Sequence, residues 1–334
     1  MPDAPTWKDA TPGHSFVLLP VTQTLSGPLQ LPLHALTGAK RGPTVGIMAT
    51  VHGDETVPAM MMRRLINEID PSVLCGRICV VPVCNPLAMS RFNRQTPEQH
   101  GKTDLHEVFP GNPRGNLTQM IAHAITSKLI DHVDVLIDYH CGGSGGRLQE
   151  RVDVHRDAPH AIKEKSLQLA RHFGVVLVHE NDLTGSAVGY ANSQGKIAFN
   201  AETGGVYLGQ KHMQGYLDRG DIGLRNVLKQ LGMLTGPAAK LPRQLYFSSQ
   251  QRKEVNPSRA GYLESCFQHP EDLGKPIAKG TKLGELIDMY SFEVIEQMIS
   301  PVDAFLMFSR YSGIVDAGTK AFALVEEAGS RWLE

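Results

Sequence analysis

Three short apolar runs in this chain each stop at a polar turn loaded with chemistry, and helical patterns lie between them. Residues 43–51 end at His52-Gly53-Asp54-Glu55. Residues 133–138 end at Tyr139-His140-Cys141-Gly142-Gly143. Residues 196–201 end at Glu202-Thr203-Gly204-Gly205. Runs this short and rich in β-branched residues read as buried strands. Further strands are expected over about 77–83 and 175–179, and helices over about 57–69, 117–132, 160–173 and 221–234. This alternation predicts an α/β fold, with a mixed, largely parallel sheet flanked by helices. In such sheets ligands bind beyond the carboxyl ends of the strands. His52, His140 and Glu202 therefore fall where a site belongs. The Gly/Pro/Asn-rich stretch 85–116 reads as a functional or mobile loop.

From about residue 240 the texture changes to short strand-like pieces separated by turns, with little helical periodicity. The chain is read as an α/β domain over 1–239 and a small all-β domain over 240–334. Its 334 residues are enough for both.

Charge and cysteine usage narrow the function classes. Lys and Arg number 33 against 34 Asp and Glu. That balance argues against nucleic-acid or membrane-surface partners, which call for a basic excess. No apolar run approaches the roughly 20 residues of a membrane span. Met1-Pro2-Asp3-Ala4-Pro5 lacks the basic and apolar regions of a secretory leader. Five cysteines, an odd number without a CxxC pair, argue against a disulfide scaffold or a cysteine-based zinc knot and suit a cytoplasmic setting.

The His52-x-x-Glu55 spacing lets two ligands meet one metal when the backbone turns between them, and His140 completes a His/Glu/His set. Three protein ligands with an open position is the catalytic zinc arrangement. The competing reading is a capping turn, with Asp54 or Thr56 capping the helix that follows. Asp138 lies on the same strand face as His140, and either orients it through its second nitrogen or pairs with a nearby base. Glu202 either takes a proton from water activated at such a metal or is a surface residue at a turn. Tyr190, between Gly189 and Ala191, is a candidate substrate donor. Cys141 reads as a packing thiol.

Five blocks carry a resemblance: Gly46–Glu55 (GIMATVHGDE), Asn85-Pro86-Leu87-Ala88, Phe109-Pro110-Gly111, Asp138-Tyr139-His140 and Ala201-Glu202-Thr203-Gly204-Gly205. In content and order the chain resembles the succinylglutamate desuccinylase/aspartoacylase family of zinc carboxypeptidase-like hydrolases over about residues 40–235. It is most similar to the longer bacterial members, some of which deacetylate N-acetylated diamino acids in ectoine breakdown. The resemblance implies one Zn2+ per chain on His52, Glu55 and His140. It makes Glu202 the general base and acid, and Arg94 the cation that stabilises the oxyanion, with Arg91 a rival for that role. It implies a small N-acyl substrate. The tail is similar to the barrel-like C-terminal domain of the longer members, either shaping the pocket mouth or mediating homo-oligomer contacts. Lys275, Lys279 and Lys282 read there as solvated charges.

One departure stands out. Where many members of the family carry Asn-Arg, with the arginine clamping the substrate carboxylate, this chain has His106-Glu107. A carboxylate repels an anionic substrate, so acyl-aspartate and succinylglutamate are not the expected substrates. Either Glu107 meets an amine or hydroxyl of the substrate, or Arg114 or Arg147 supplies the clamp. His106 joining the metal site and loss of activity are further alternatives. Two rival functions remain at this point: a metallocarboxypeptidase acting on short peptides, and a non-catalytic zinc-stabilised binding protein.

Overall fold

The structure, a computed structural model, describes Trp7 and residues 11–207 and 209–334. The opening segment 1–5, read above as lacking a leader, lies outside the described residues. A hairpin of β1 (Gly13–Thr24) and β2 (Gly27–Thr37) precedes the expected alternation. Then come β3 (Lys40–Ala49), α1 (Val57–Glu68), β4 (Cys75–Val81), α2 (Pro86–Met89), α3 (Leu117–Lys128), β5 (Val135–Cys141), β6 (Gly146–Leu148) and β7 (Arg151–His155). They are followed by α4 (His160–Arg171), β8 (Leu177–Asn181), α5 (Ala187–Ser193), β9 (Ile197–Thr203), α6 (Gln210–Gln230) and β10 (Gln244–Ser248).

One sheet takes the order β1-β2-β4-β3-β5-β9-β7-β8-β10, with Arg331–Leu333 at its far edge. Its centre, β4-β3-β5-β9, is parallel. β7 runs antiparallel to β9 and parallel to β8. Side chains alternate between two cores, as the strand period of two requires. Val45, Ile47 and Ala49 of β3 join Ile137 and Tyr139 of β5, Met61 and Leu65 of α1, and Leu224 and Val227 of α6. Met48 and Leu136 point the other way, to Ile121 and Ile125 of α3. Burial on both faces is why these strands read as nearly continuous apolar runs.

Helix α6 starts well before the expected 221. A Cβ at Gly220 would stand 2.3 Å from Met61 Sδ and 2.6 Å from the Tyr139 hydroxyl. The glycine that weakens the helical pattern is what lets α6 lie close against α1 and β5.

The tail is all-β. One of its sheets contains Arg252–Val255, Phe322–Glu326, Ala304–Arg310 and Pro276–Ile277. The other contains Val294–Ile299, Lys282–Ile287, Gly261–Ser265 and Gly313–Val315. Leu263, Leu286, Leu306, Phe322 and Leu324 fill its core. The two regions exchange strands: β10 and Arg331–Leu333 enter the large sheet, while β6 pairs with Ala304–Arg310 of the tail. That exchange seats the tail beside the carboxyl ends of β5 and β9. No described helix is long and apolar enough to cross a membrane.

Candidate active site

The turn after β3 brings His52 and Glu55 onto one point. Thr50 takes a positive φ of 53°, and the Glu55 amide donates to the His52 carbonyl at 3.1 Å. A Cβ on Gly53 would fall 2.1 Å from the Ala88 carbonyl carbon, so only glycine lets the turn press against α2. The capping alternative is corrected. Asp54 accepts from the amide and hydroxyl of Ser144 instead, at 2.9 and 2.7 Å, and Thr56, at the N-cap of α1, makes no side-chain cap bond.

Glu55 is the centre of the cluster. Its Oε1 lies 2.8 Å from His52 Nδ1 and its Oε2 2.9 Å from His140 Nδ1. The Cys141 amide donates to the same Oε2 at 3.1 Å. Each imidazole has a carboxylate behind its other nitrogen: Asp104 Oδ1 is 3.1 Å from His52 Nε2, and Asp138 Oδ2 is 3.1 Å from His140 Nε2. All five side chains are buried. A carboxylate that fixes the outer nitrogen aims the inner one and makes it a better donor. Two nitrogens so aimed, with a carboxylate between them, fit the donor set of a zinc ion. The electrostatics agree. Burial depresses the charged form of His140, but Asp138 and Glu55 outweigh it and hold its pKa well above the imidazole norm. Burial likewise opposes the charge on Glu55, and the two histidines override it and hold its carboxyl well below the usual range. This local field favours a cation.

Strand register delivers the second half of the site. Glu202 of β9 sits opposite His140 of β5 and opposite Arg151 of β7, and one pleat back Asn200 sits opposite Asp138 and Asp153. Arg151 donates to Glu202 Oε1 at 2.9 Å and, through Nε, to Asp153 Oδ1 at 2.7 Å. Glu202 Oε2 is buried and unpaired. Burial raises the Glu202 pKa, against the pull of Arg151 and His140.

Arg94 donates to Asp104 Oδ2 at 2.9 Å, with Nη1 3.7 Å from Glu55 Oε1, and its side chain stays half exposed. His52, Glu55, His140, Glu202, Arg94 and Arg151 share a cavity of about 290 Å3, which the tail walls off with Arg252, Met307, Phe308 and Lys320. Lys320 holds its ammonium 4.7 Å from the Phe308 ring. Burial, with Arg252 nearby, lowers its pKa to about 8.

The other expected residues divide. His106 lines the cavity. Burial, and then His140, push its pKa down to about 3, so the ring is neutral. Glu107 and Arg114 are exposed and stand outside the cavity lining. Arg147 donates to the Phe267 and Gln268 carbonyls and stacks over Tyr311. The Tyr190 hydroxyl donates to Asp131 at 3.0 Å. Asp104, Arg151, Arg252 and Lys320 were not anticipated. Only Arg151 carried a signal, the strict alternation of Arg151-Val152-Asp153-Val154-His155.

Residues 41–231 match the family model of the succinylglutamate desuccinylase/aspartoacylase catalytic domain. The chain is 28% identical over 291 residues to N-alpha-acetyl-L-2,4-diaminobutyric acid deacetylase of Halomonas elongata, covering 83% of this chain and 80% of that protein. The product-bound ectoine utilization protein EutE (DoeB) of Ruegeria pomeroyi superposes with a TM-score of 0.82 at 23% identity, covering 97% of this chain and 98% of that one. An aspartoacylase family protein of Mesorhizobium loti superposes with a TM-score of 0.80 at 25% identity, covering 97% and 96%.

Proposed function

The chain belongs to the succinylglutamate desuccinylase/aspartoacylase family, and from that premise we propose that it is a metal-dependent hydrolase removing the acyl group of a small N-acyl amino acid. One observation carries this reading: the inner nitrogens of His52 and His140 converge on Glu55, and the cavity they open into also holds Glu202. His52, Glu55 and His140 would hold zinc, which when bound supplies Lewis acidity at the scissile carbonyl and lowers the pKa of the attacking water.

The chain's own residues do the rest. Glu202, its pKa raised by burial, takes the proton of water and returns one to the leaving amine. Arg151 holds Oε1 and leaves Oε2 free for that traffic. Arg94, held by Asp104, presents a guanidinium to the charge that develops on the carbonyl oxygen. Lys320 and Arg252, rather than Arg114 or Arg147, face the cavity to receive a substrate carboxylate. The relative that deacetylates N-acetyl-diaminobutyrate makes N-acetylated diamino acids the first substrates to try. A cavity of about 290 Å3 walled by the tail suits such a molecule better than a peptide. The test is Glu202→Gln, assayed on N-acetyl amino acids. Loss of about 10²- to 10⁴-fold in rate with metal retained supports the reading. An unchanged rate overturns it.

A further inference from the structure

His106 stands beside the two histidines already described. Its ring stands 4.9 Å from that of His140, edge-on at 90°, and 5.7 Å from that of His52. Its Nδ1 is buried without a hydrogen-bond partner, 3.8 Å from Asp138 Oδ2. The ring lines the cavity. Asp138 backs His140 at 3.1 Å and lies 3.8 Å from His106, while Asp104 backs His52 and also accepts from the His106 amide at 3.0 Å. One ring nitrogen from each of His52, His106 and His140 lies within 4.8 Å of the other two. A partly buried imidazole that served only packing would have no need to set a ring nitrogen within reach of two metal-binding rings.

We propose that His106 is a third imidazole ligand of the metal centre, making its donor set three histidines and Glu55, with water or the scissile carbonyl as a fifth ligand, a coordination number open to catalytic zinc. The inference rests on the metal-dependent reading given above and adds a ligand to it. A centre richer in nitrogen favours the metals that imidazole suits, zinc, copper, iron and nickel, over the oxygen-seeking magnesium, calcium and manganese.

The experiment is zinc binding to metal-stripped protein by competition with a chromophoric chelator, comparing wild type with His106→Asn and His106→Gln. Loss of an outer contact to a ligand costs roughly 10- to 100-fold in metal affinity. Loss of a ligand should exceed that range in both variants. It should also change the visible absorption of the cobalt-substituted protein. If the variants bind zinc as tightly as wild type with the cobalt spectrum unchanged, the inference is overturned, including where KM alone rises, since His106 would then touch substrate only. If neither variant folds, X-ray absorption at the zinc edge of the wild type decides: three imidazoles support the inference and two overturn it. Wild type that takes up no zinc removes the metal-dependent reading as well. Wild type that binds zinc beside variants that bind it equally removes only the role of His106.

Discussion

Replacing Lys320 with Met should make the protein more stable and its substrate binding worse. The ammonium stands against the Phe308 ring and lines the cavity with Arg252, and among the described residues it makes no ion pair. Its pKa falls from 10.5 to about 8. At roughly 1.4 kcal/mol per unit, that depression means the charged lysine costs the fold about 3 kcal/mol. The sign follows from proton linkage. Below pH 8 both the folded and the unfolded chain hold the proton, and the cost is present in full. Between pH 8 and 10.5 only the unfolded chain holds it, so stability rises with pH and the cost fades. Lys320→Met keeps the stem and removes the charge. It should therefore raise the urea-unfolding free energy at pH 7 by up to about 3 kcal/mol, an advantage that shrinks as the pH climbs toward 10. A hydrogen bond to a charged group is worth about 1.5–3 kcal/mol. KM for a carboxylate-bearing N-acetyl amino acid should accordingly rise about 10- to 100-fold, with kcat little changed. A Met variant that is less stable at pH 7, or one with an unchanged KM, refutes the reasoning.

Other outcomes follow from the same geometry. Asp104→Asn takes the charge from behind His52 and loosens Arg94; zinc affinity should fall about 10- to 100-fold, read by chelator competition. Arg151→Met removes the cation that favours ionised Glu202. The Glu202 pKa should rise further, and the acid limb of the kcat/KM–pH profile should move to higher pH; a profile that stays in place contradicts the Arg151–Glu202 coupling. Asp153→Asn should shift that limb the other way, to lower pH, because it removes a nearby negative charge that raises the Glu202 pKa while leaving the Arg151 guanidinium in place.

The parts of the site that chain order encodes were legible. His52, His140 and Glu202 each end an apolar run, and an α/β sheet collects such ends on one edge. Asp138 was legible because two residues along a strand return to the same face. What the chain order does not carry is register. Arg151 meets Glu202 because β7 enters the sheet antiparallel beside β9, and no local pattern encodes that pairing. Asp104 lies in an aperiodic loop, 52 residues from the histidine it orients. Lys320 and Arg252 reach the cavity through pairings between distant segments, with β10 and Arg331–Leu333 in the large sheet and β6 on the tail. Glu107 invited a substrate role through its neighbours in sequence, but the short 3-10 turn Leu105–Glu107 points His106 inward and leaves Glu107 exposed. The hairpin of β1 and β2 was missed although Leu29, Leu31, Leu33 and Ala35 alternate inward along β2; interleaved prolines obscure that pattern.

The most direct test of the account is hydrolysis of Nα-acetyl-2,4-diaminobutyrate by the purified protein as isolated, after chelation, and after zinc is restored. The account predicts release of acetate that stops on chelation and returns with zinc. Hydrolysis that continues undiminished in the stripped protein, or zinc-loaded protein that cleaves neither this nor any other N-acyl amino acid, would contradict it.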